Sequence, residues 1–278
     1  QQLSTRGAEL ELLDKQQTNQ RIGSSKFFGA LFNKSAGTIN PLSYCIGLAL
    51  AAQSKGANIY ETTLATKIQS INGHWLIKTT EGSIKAKMLL IATNAYQQPI
   101  KGIKSPEYTS VHYFQVATNP LPEKDTKMIL PNGEGCWDTA SVMSSFRLDE
   151  DNRLIIGGVG NLGHGASKIH TNWARRKIKS LFPNLKNIPI EYNWHGRIAM
   201  TANHIPKIQK LGNNAYSIFG FSGRGIGPGT YFGKAVVESL LSGDENSLPV
   251  TPMSQNKERY SGIKSKLFEL GATASHLL

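Results

Sequence analysis

The residues best suited to chemistry fall in one stretch, 216–243, which reads YSIFGFSGRGIGPGTYFGKAVVESLLSG. Gly220, Gly223, Gly225, Gly227 and Gly229 lie within ten residues of one another. Glycines at that density admit positive φ and let backbone approach a ligand closely. Phe232, Ala235, Val236, Ser239 and Leu240 then recur at helical spacing, and Gly243 stands where a helix ends. A helix fed by such a turn aims its unpaired N–H groups and its positive dipole end at whatever the turn touches. That chemistry suits an electron-rich or anionic group. The same turn would also serve as a tight strand-to-helix connection with no ligand, and taken alone it leaves both readings open.

Other reactive residues are sparse. Cys45 and Cys136 form no disulfide framework, and with scattered histidines they make no metal pattern. Cysteine usage of this kind points to a reducing, cytoplasmic compartment. The formal charge of +12 invites a nucleic-acid reading, but it is spread along the chain. Its densest cluster, Arg175, Arg176, Lys177 and Lys179, shares a predicted helix with Trp173, Ile178, Leu181 and Phe182, and a solvated helix face accounts for it. The chain is expected to bind no nucleic acid and contains no apolar run long enough to span a bilayer.

The elements that would position the glycine turn follow in order. The opening QQLSTRGAELELLD reads as a helix-to-loop segment. Asn40 and Pro41 predict a helix start and Gly56 its end, with a strand expected over 57–61. Residues 65–71 and 74–80 flank Asn72-Gly73 as a hairpin, and 83–86 extends it to a three-stranded meander. MLLIA at 88–92 reads as a strand buried on both faces. Beyond residue 105 the pattern is largely antiparallel: a strand at 111–117, a hairpin of 143–148 with 153–158, a basic helix at 172–182 and a long strand at 188–198. A hairpin of 205–211 with 215–219 leads into the glycine turn, and a short helix is expected at 264–270.

Several blocks together resemble one family: GTINPLSYCIGLALAAQSKGANIYETT, AKMLLIATNAY, FRLDEDNRLIIGGVG, WHGRIAMTANHIPKI and FGFSGRGIGPGTYFGKAV. They are similar to the FAD-dependent amine and amino-acid oxidoreductases of the D-amino-acid oxidase type. The resemblance implies a mixed α/β (α+β) chain. An incomplete Rossmann-like FAD-binding domain with a β-meander would stand beside a substrate domain on a mixed, largely antiparallel sheet. The division expected is a partial substrate-domain or linker segment at 1–26, FAD-binding parts at 27–104 and 198–247, the substrate domain at 105–197 and a tail at 248–278. Family members open on a strand, a G-x-G-x-x-G turn and a helix that hold the pyrophosphate; no such unit is found here, and the natural N-terminus is expected to lie upstream of Gln1.

What the resemblance implies for individual residues is specific. Gly220, Ser222, Gly223, Arg224, Gly225 and Ile226 would run along the pyrimidine edge of the flavin, chiefly through backbone amides; Arg224 could equally be a surface arginine. Ala65 would meet the adenine, and Thr93 and Asn94 would form the turn that passes the cofactor, although Ala65 could be simple packing and Asn94 a turn former. An arginine on the 188–198 strand holds the substrate carboxylate in amino-acid oxidases of this type. Arg197 is the candidate on this strand for binding the substrate; counted back from Pro206, however, that position falls nearer Ile198, and an offset of one residue would turn the Arg197 side chain to the other face. This favours an amine over a simple amino acid. His195 and His204 are not expected to act as acid or base. The implied reaction is FAD-dependent oxidation of the C–N bond of an amine or amino acid, γ-glutamylputrescine or a related amine among them, by hydride transfer. The alternative is a truncated, non-catalytic relative that acts as a binding or structural protein.

Overall fold

Alternating apolar residues lay down most of the strands, and turn chemistry fixes where they end. The computed structural model describes residues 4–140, 142–163 and 165–278. Strand β1 (Leu10–Leu13) pairs antiparallel with β2 (Ala30–Asn33) around helix α1 (Lys15–Ile22). A capping box starts α1: Asp14 Oδ1 accepts the Gln17 amide at 2.8 Å and Gln17 Oε1 accepts the Asp14 amide at 2.9 Å. Within the opening segment, of which residues 1–3 lie outside the described ones, a 3-10 turn at Ser4–Arg6 leads into strand β1 and not into loop; β1 forms because β2 supplies its partner. Helix α2 (Pro41–Ser54) begins where Asn40 Oδ1 accepts the Ser43 amide at 3.1 Å. None of its residues is buried.

The expected strand at 57–61 is absent: these residues are coil and turn, with Ile59 44% and Tyr60 66% exposed. A strand needs a hydrogen-bonding neighbour, and none of the described strands runs beside this segment. The meander does form, as β3 (Ala65–Ile71), β4 (His74–Thr79) and β5 (Ser83–Ala86). Asn72 and Gly73 take φ of +48° and +74° at its first turn. Then come β6 (Leu89–Ile91), β7 (Thr109–Pro120), the short helix α3 (Glu123–Thr126), β8 (Cys136–Trp137), β9 (Ser144–Leu148) and β10 (Arg153–Val159). Helix α4 (Ser167–Leu181) starts five residues before the expected 172, and β11 (Ile190–Met200), β12 (Lys207–Gly212), β13 (Ala215–Phe219) and α5 (Ile226–Ser242) follow. Helix α6 (Ser261–Leu277) runs through Gly271 instead of stopping near it.

The chain divides into two units. The first comprises Gln1–Tyr44, His112–Gly196 and Phe268–Leu278. Its main sheet has the order β11-β7-β10-β9-β8. One face of that sheet carries Phe114, Val116, Phe146, Leu154 and Ile156, all 0–2% exposed, against Ala174, Ile178 and Leu181 of α4. Burial of this apolar surface stabilises the unit by about 25 cal/mol per Å². Arg175, Arg176 and Lys179 of α4 lie on its exposed side, as the sequence implies, whereas Lys177 of the same cluster is half-buried and donates to Asp138 Oδ2 at 2.7 Å.

The second unit comprises Cys45–Val111 and Arg197–Leu267. Its sheet β12-β13-β6 joins β13 antiparallel to β12 and parallel to β6, with Ala215 opposite Leu89 and Ser217 opposite Ile91. Every residue of β13 is buried. Tyr216 and Ile218 pack with Phe232, Val236 and Leu240 of α5, while Ala215 packs with Ile68 and Trp75 of the meander. The period-2 alternation of β13 thus separates helix from meander across one strand. Strand β6 is buried only at Ile91, with Met88 just before it 36% exposed. It is not the two-face-buried strand expected, because β13 pairs with one edge and no described strand pairs with the other.

Candidate functional site

Parallel pairing brings the C-terminal ends of β6 and β13 to the same edge of the second unit. Beyond β6 come Thr93 and Asn94; beyond β13 comes Gly220. In open sheets with parallel strands this is where ligands bind. The two turns are joined directly, because the Gly220 amide donates to Asn94 Oδ1 at 3.0 Å. Asn94 has φ +45° and Gly220 φ +80°. A Cβ on Gly220 would lie 2.4 Å from Thr201 Cγ2, so only glycine fits there.

Ser222, at φ +51°, is fully engaged within the turn. Its amide donates to the Ala199 carbonyl at 3.0 Å and its hydroxyl to the Gly220 carbonyl at 3.1 Å, and Oγ accepts the Thr201 amide at 3.2 Å. Beyond it the chain opens to solvent: Gly223, Arg224, Gly225, Ile226 and Gly227 are all exposed. A Cβ placed on Gly225, Gly227 or Gly229 would meet nothing within 4 Å. Helix α5 starts here with no side-chain cap and no acidic residue in its first turn. Its positive end faces open space, bare and free to take a flat, electron-rich edge. Arg224 makes no ion pair or side-chain hydrogen bond among the described residues.

The remaining sequence candidates separate. Thr93 is exposed next to Asn94. Ala65 starts β3 opposite Thr79 and is half-buried; no hydrogen bond joins it to the Asn94–Gly220 pair. Arg197 lies against Tyr96. Its backbone amide donates to Tyr96 Oη at 2.9 Å and its guanidinium carbon sits 4.8 Å from the Tyr96 ring centroid. Burial pushes the Tyr108 phenol up, and the charge of Arg197 offsets part of that rise. By contrast the Ile198 side chain reaches toward the glycine turn, its Cδ1 3.7 Å from where a Gly223 Cβ would be. Arg197 and Ile198 are neighbours in β11, so their side chains lie on opposite faces of the strand. Tyr96 and Thr201 escape sequence reasoning. Their only sequence signal is their place, in the turn that follows β6 and just past the end of β11.

The sequence model for FAD dependent oxidoreductases matches residues 1–239. The chain belongs to this family. It is 31% identical over 241 residues to a probable oxidoreductase, OrdL, of Haemophilus influenzae, and 30% identical over 241 residues to γ-glutamylputrescine oxidoreductase of Escherichia coli. Each match covers 85% of this chain and 55% of the relative, so the chain spans about half the length of these curated relatives. Among solved structures, L-proline dehydrogenase from P. horikoshii superposes with a TM-score of 0.76 at 23% identity, over 89% of this chain and 68% of that one. Glycine oxidase from Geobacillus kaustophilus gives 0.71 at 18%, over 87% and 65%. These likenesses confirm the fold, and membership brings with it the expectation of an FAD-binding architecture. The exposed, glycine-rich turn and the uncapped helix end fit one edge of such a cofactor.

Proposed function

We propose that the protein is an FAD-dependent oxidoreductase acting on the C–N bond of an amine, γ-glutamylputrescine or a related amine among the candidates. The observation that carries this reading is the bare N-terminus of α5 beside the joined ends of β6 and β13. In a chain of this family, the amides of Gly225, Ile226 and Gly227 would hold the pyrimidine edge of the flavin, and the helix dipole would favour negative charge there. Gly220, Asn94 and Ser222 would shape that turn from beneath, Gly223 would allow close approach, and Arg224 would supply positive charge at its rim. Thr93 would lie where the cofactor passes the end of β6, and Ala65 where the adenine lies. When bound, FAD supplies the two-electron acceptor that the amine requires. For the chain's own residues the task is placement and exclusion of water. Arg197 has no carboxylate to hold in this reading, and its stacking on Tyr96 supports an amine over a simple amino acid. Both cysteines are free, in keeping with a proposed cytoplasmic location.

The test is an absorbance spectrum of the protein expressed from its complete native coding frame and incubated with FAD. A flavin band that bleaches anaerobically with γ-glutamylputrescine supports the proposal. A colourless protein that cannot be loaded with FAD overturns it and leaves the non-catalytic reading in its place.

A further inference from the structure

The face of the first unit's sheet that turns away from α4 is not apolar. Register places Arg147 opposite Ile155 and Ser145 opposite Gly157, with Gln115 opposite Gly157 on the other side. These residues share one face by the alternation of neighbouring strands. A Cβ on Gly157 would come within 2.7 Å of Gln115 Cγ and 3.0 Å of Tyr113 Cε1, so its bareness seats those two side chains. Tyr113 Oη meets Ser145 Oγ at 2.7 Å and donates to the Gly157 carbonyl at 3.1 Å. Gly157 is thus packed by its own neighbours.

Arg147, Gln115, Ile155 and Trp194 line an open-mouthed cavity of about 800 Å³. Arg147 is the one cation in its described lining. It is half-buried, yet no carboxylate or hydrogen-bond acceptor engages its side chain among the described residues. The two acids of the lining are committed elsewhere. Asp149 Oδ1 accepts the amides of Asp151 and Arg153, and Glu150 accepts from Asn40 Nδ2 at 3.3 Å. A half-buried guanidinium left without a partner is poorly compensated, whereas its planar fork matches a carboxylate in two parallel hydrogen bonds. Gln115 adds an amide beside it, and Ile155 with Trp194 offers apolar wall for a short alkyl chain.

We infer that this cavity is a binding site for a carboxylate-bearing amine, with Arg147 holding the carboxylate. The inference rests on the amine-oxidoreductase reading for the other half of its ligand, the amino group. It assigns to Arg147 the carboxylate-holding role that sequence resemblance would give to an arginine of the β11 strand.

Isothermal titration of the full chain with 5-aminopentanoate and with n-pentylamine, which lacks only the carboxylate, tests it. The wild type is expected to prefer 5-aminopentanoate by about ten-fold or more. Arg147→Gln should abolish that preference and leave pentylamine binding within about two-fold, while Arg147→Lys keeps part of it as a point charge without the fork. Equal thermal midpoints for the three proteins establish that folding is intact. No preference in the wild type, or a preference that survives Arg147→Gln, overturns the inference. An Arg147-dependent preference in a protein that cannot take up FAD overturns the oxidoreductase reading alone. A protein that is bleached by amine but indifferent to Arg147→Gln overturns this inference alone.

Discussion

Asn94 and Gly220, 126 residues apart, are joined by a single hydrogen bond from the Gly220 amide to Asn94 Oδ1 at 3.0 Å. Both residues have positive φ, and each closes the C-terminal end of a strand in the same parallel pair. The bond therefore sets the distance between two turns that would otherwise be independent. Gly220→Ala forces a Cβ into Thr201 Cγ2 at 2.4 Å and a left-handed backbone onto alanine. It should cost at least about 1–2 kcal/mol. Asn94→Ala loses one partly buried hydrogen bond and should cost about 1 kcal/mol. Because the two residues are in direct contact through this bond, their effects in urea denaturation should depart from the sum that independent sites would give.

A second prediction sets stability against function at the start of α5. Gly227 has room for a side chain, and no acidic residue lies in that first turn. Gly227→Asp should stabilise the protein by about 0.5–1 kcal/mol, through the higher helix propensity of Asp and its attraction to the helix dipole. If the bare amides hold the electron-rich edge of a flavin, the same carboxylate repels it. FAD content measured by absorbance should then fall while the denaturation midpoint rises. A rise in both would show that this end of α5 does not meet the cofactor.

The difference between what was legible in the sequence and what was not follows from how local the information is. The buried face of α5 is the set Phe232, Ala235, Val236, Ser239 and Leu240, as helical spacing predicts, and Gly243 caps it at φ +76°. Asn40, Asn72-Gly73 and Gly56 likewise act within a few residues of themselves. The strand expected at 57–61 fails because its existence depends on a partner elsewhere in the chain, and β1 is missed for the converse reason. The glycine turn is visible as composition, but its attachment to Asn94 is a consequence of parallel pairing between distant strands. Arg147 is hidden more deeply. Only the register of β9 on β10 shows that it turns away from Phe146 and the core.

Arg197 provides a third prediction. Its guanidinium stacks on an exposed tyrosine, Tyr96, and has no ionic partner among the described residues. Exposed cation–π contacts are worth about 0.5–1 kcal/mol, so Arg197→Ala should shift stability by no more than that. In the 5-aminopentanoate titration it should alter the carboxylate preference less than two-fold, in contrast to Arg147→Gln. A loss of preference on Arg197→Ala would return the carboxylate to β11.

The last prediction concerns acid. His170 on α4 and His276 near the end of α6 are both 0% exposed, and their Nδ1 atoms lie 2.7 Å apart. One ring must donate and the other accept, and neither Nε2 has a partner among the described residues. Trp173 stacks on His276 at 4.1 Å and Phe114 on His170 at 5.1 Å. The charged groups facing the pair are Arg176, whose guanidinium donates to the His276 carbonyl, and Glu269, which also lies 3.6 Å from His112. Burial holds the His276 pKa down to about 4, with His170 and Arg176 adding to the effect, and burial lowers His170 as well. A folded-state pKa below the unfolded value means that the unfolded chain takes up protons first as the pH falls. The stability from keeping His276 neutral is therefore complete above about pH 6.5, erodes between 6.5 and about 4, and is gone below. At about 1.4 kcal/mol per pKa unit the full loss is roughly 3 kcal/mol. Urea denaturation at pH 7.5, 6.0 and 4.5 should show this decline, and His276→Leu should flatten it. An unchanged pH slope in that variant would place the acid sensitivity in other groups.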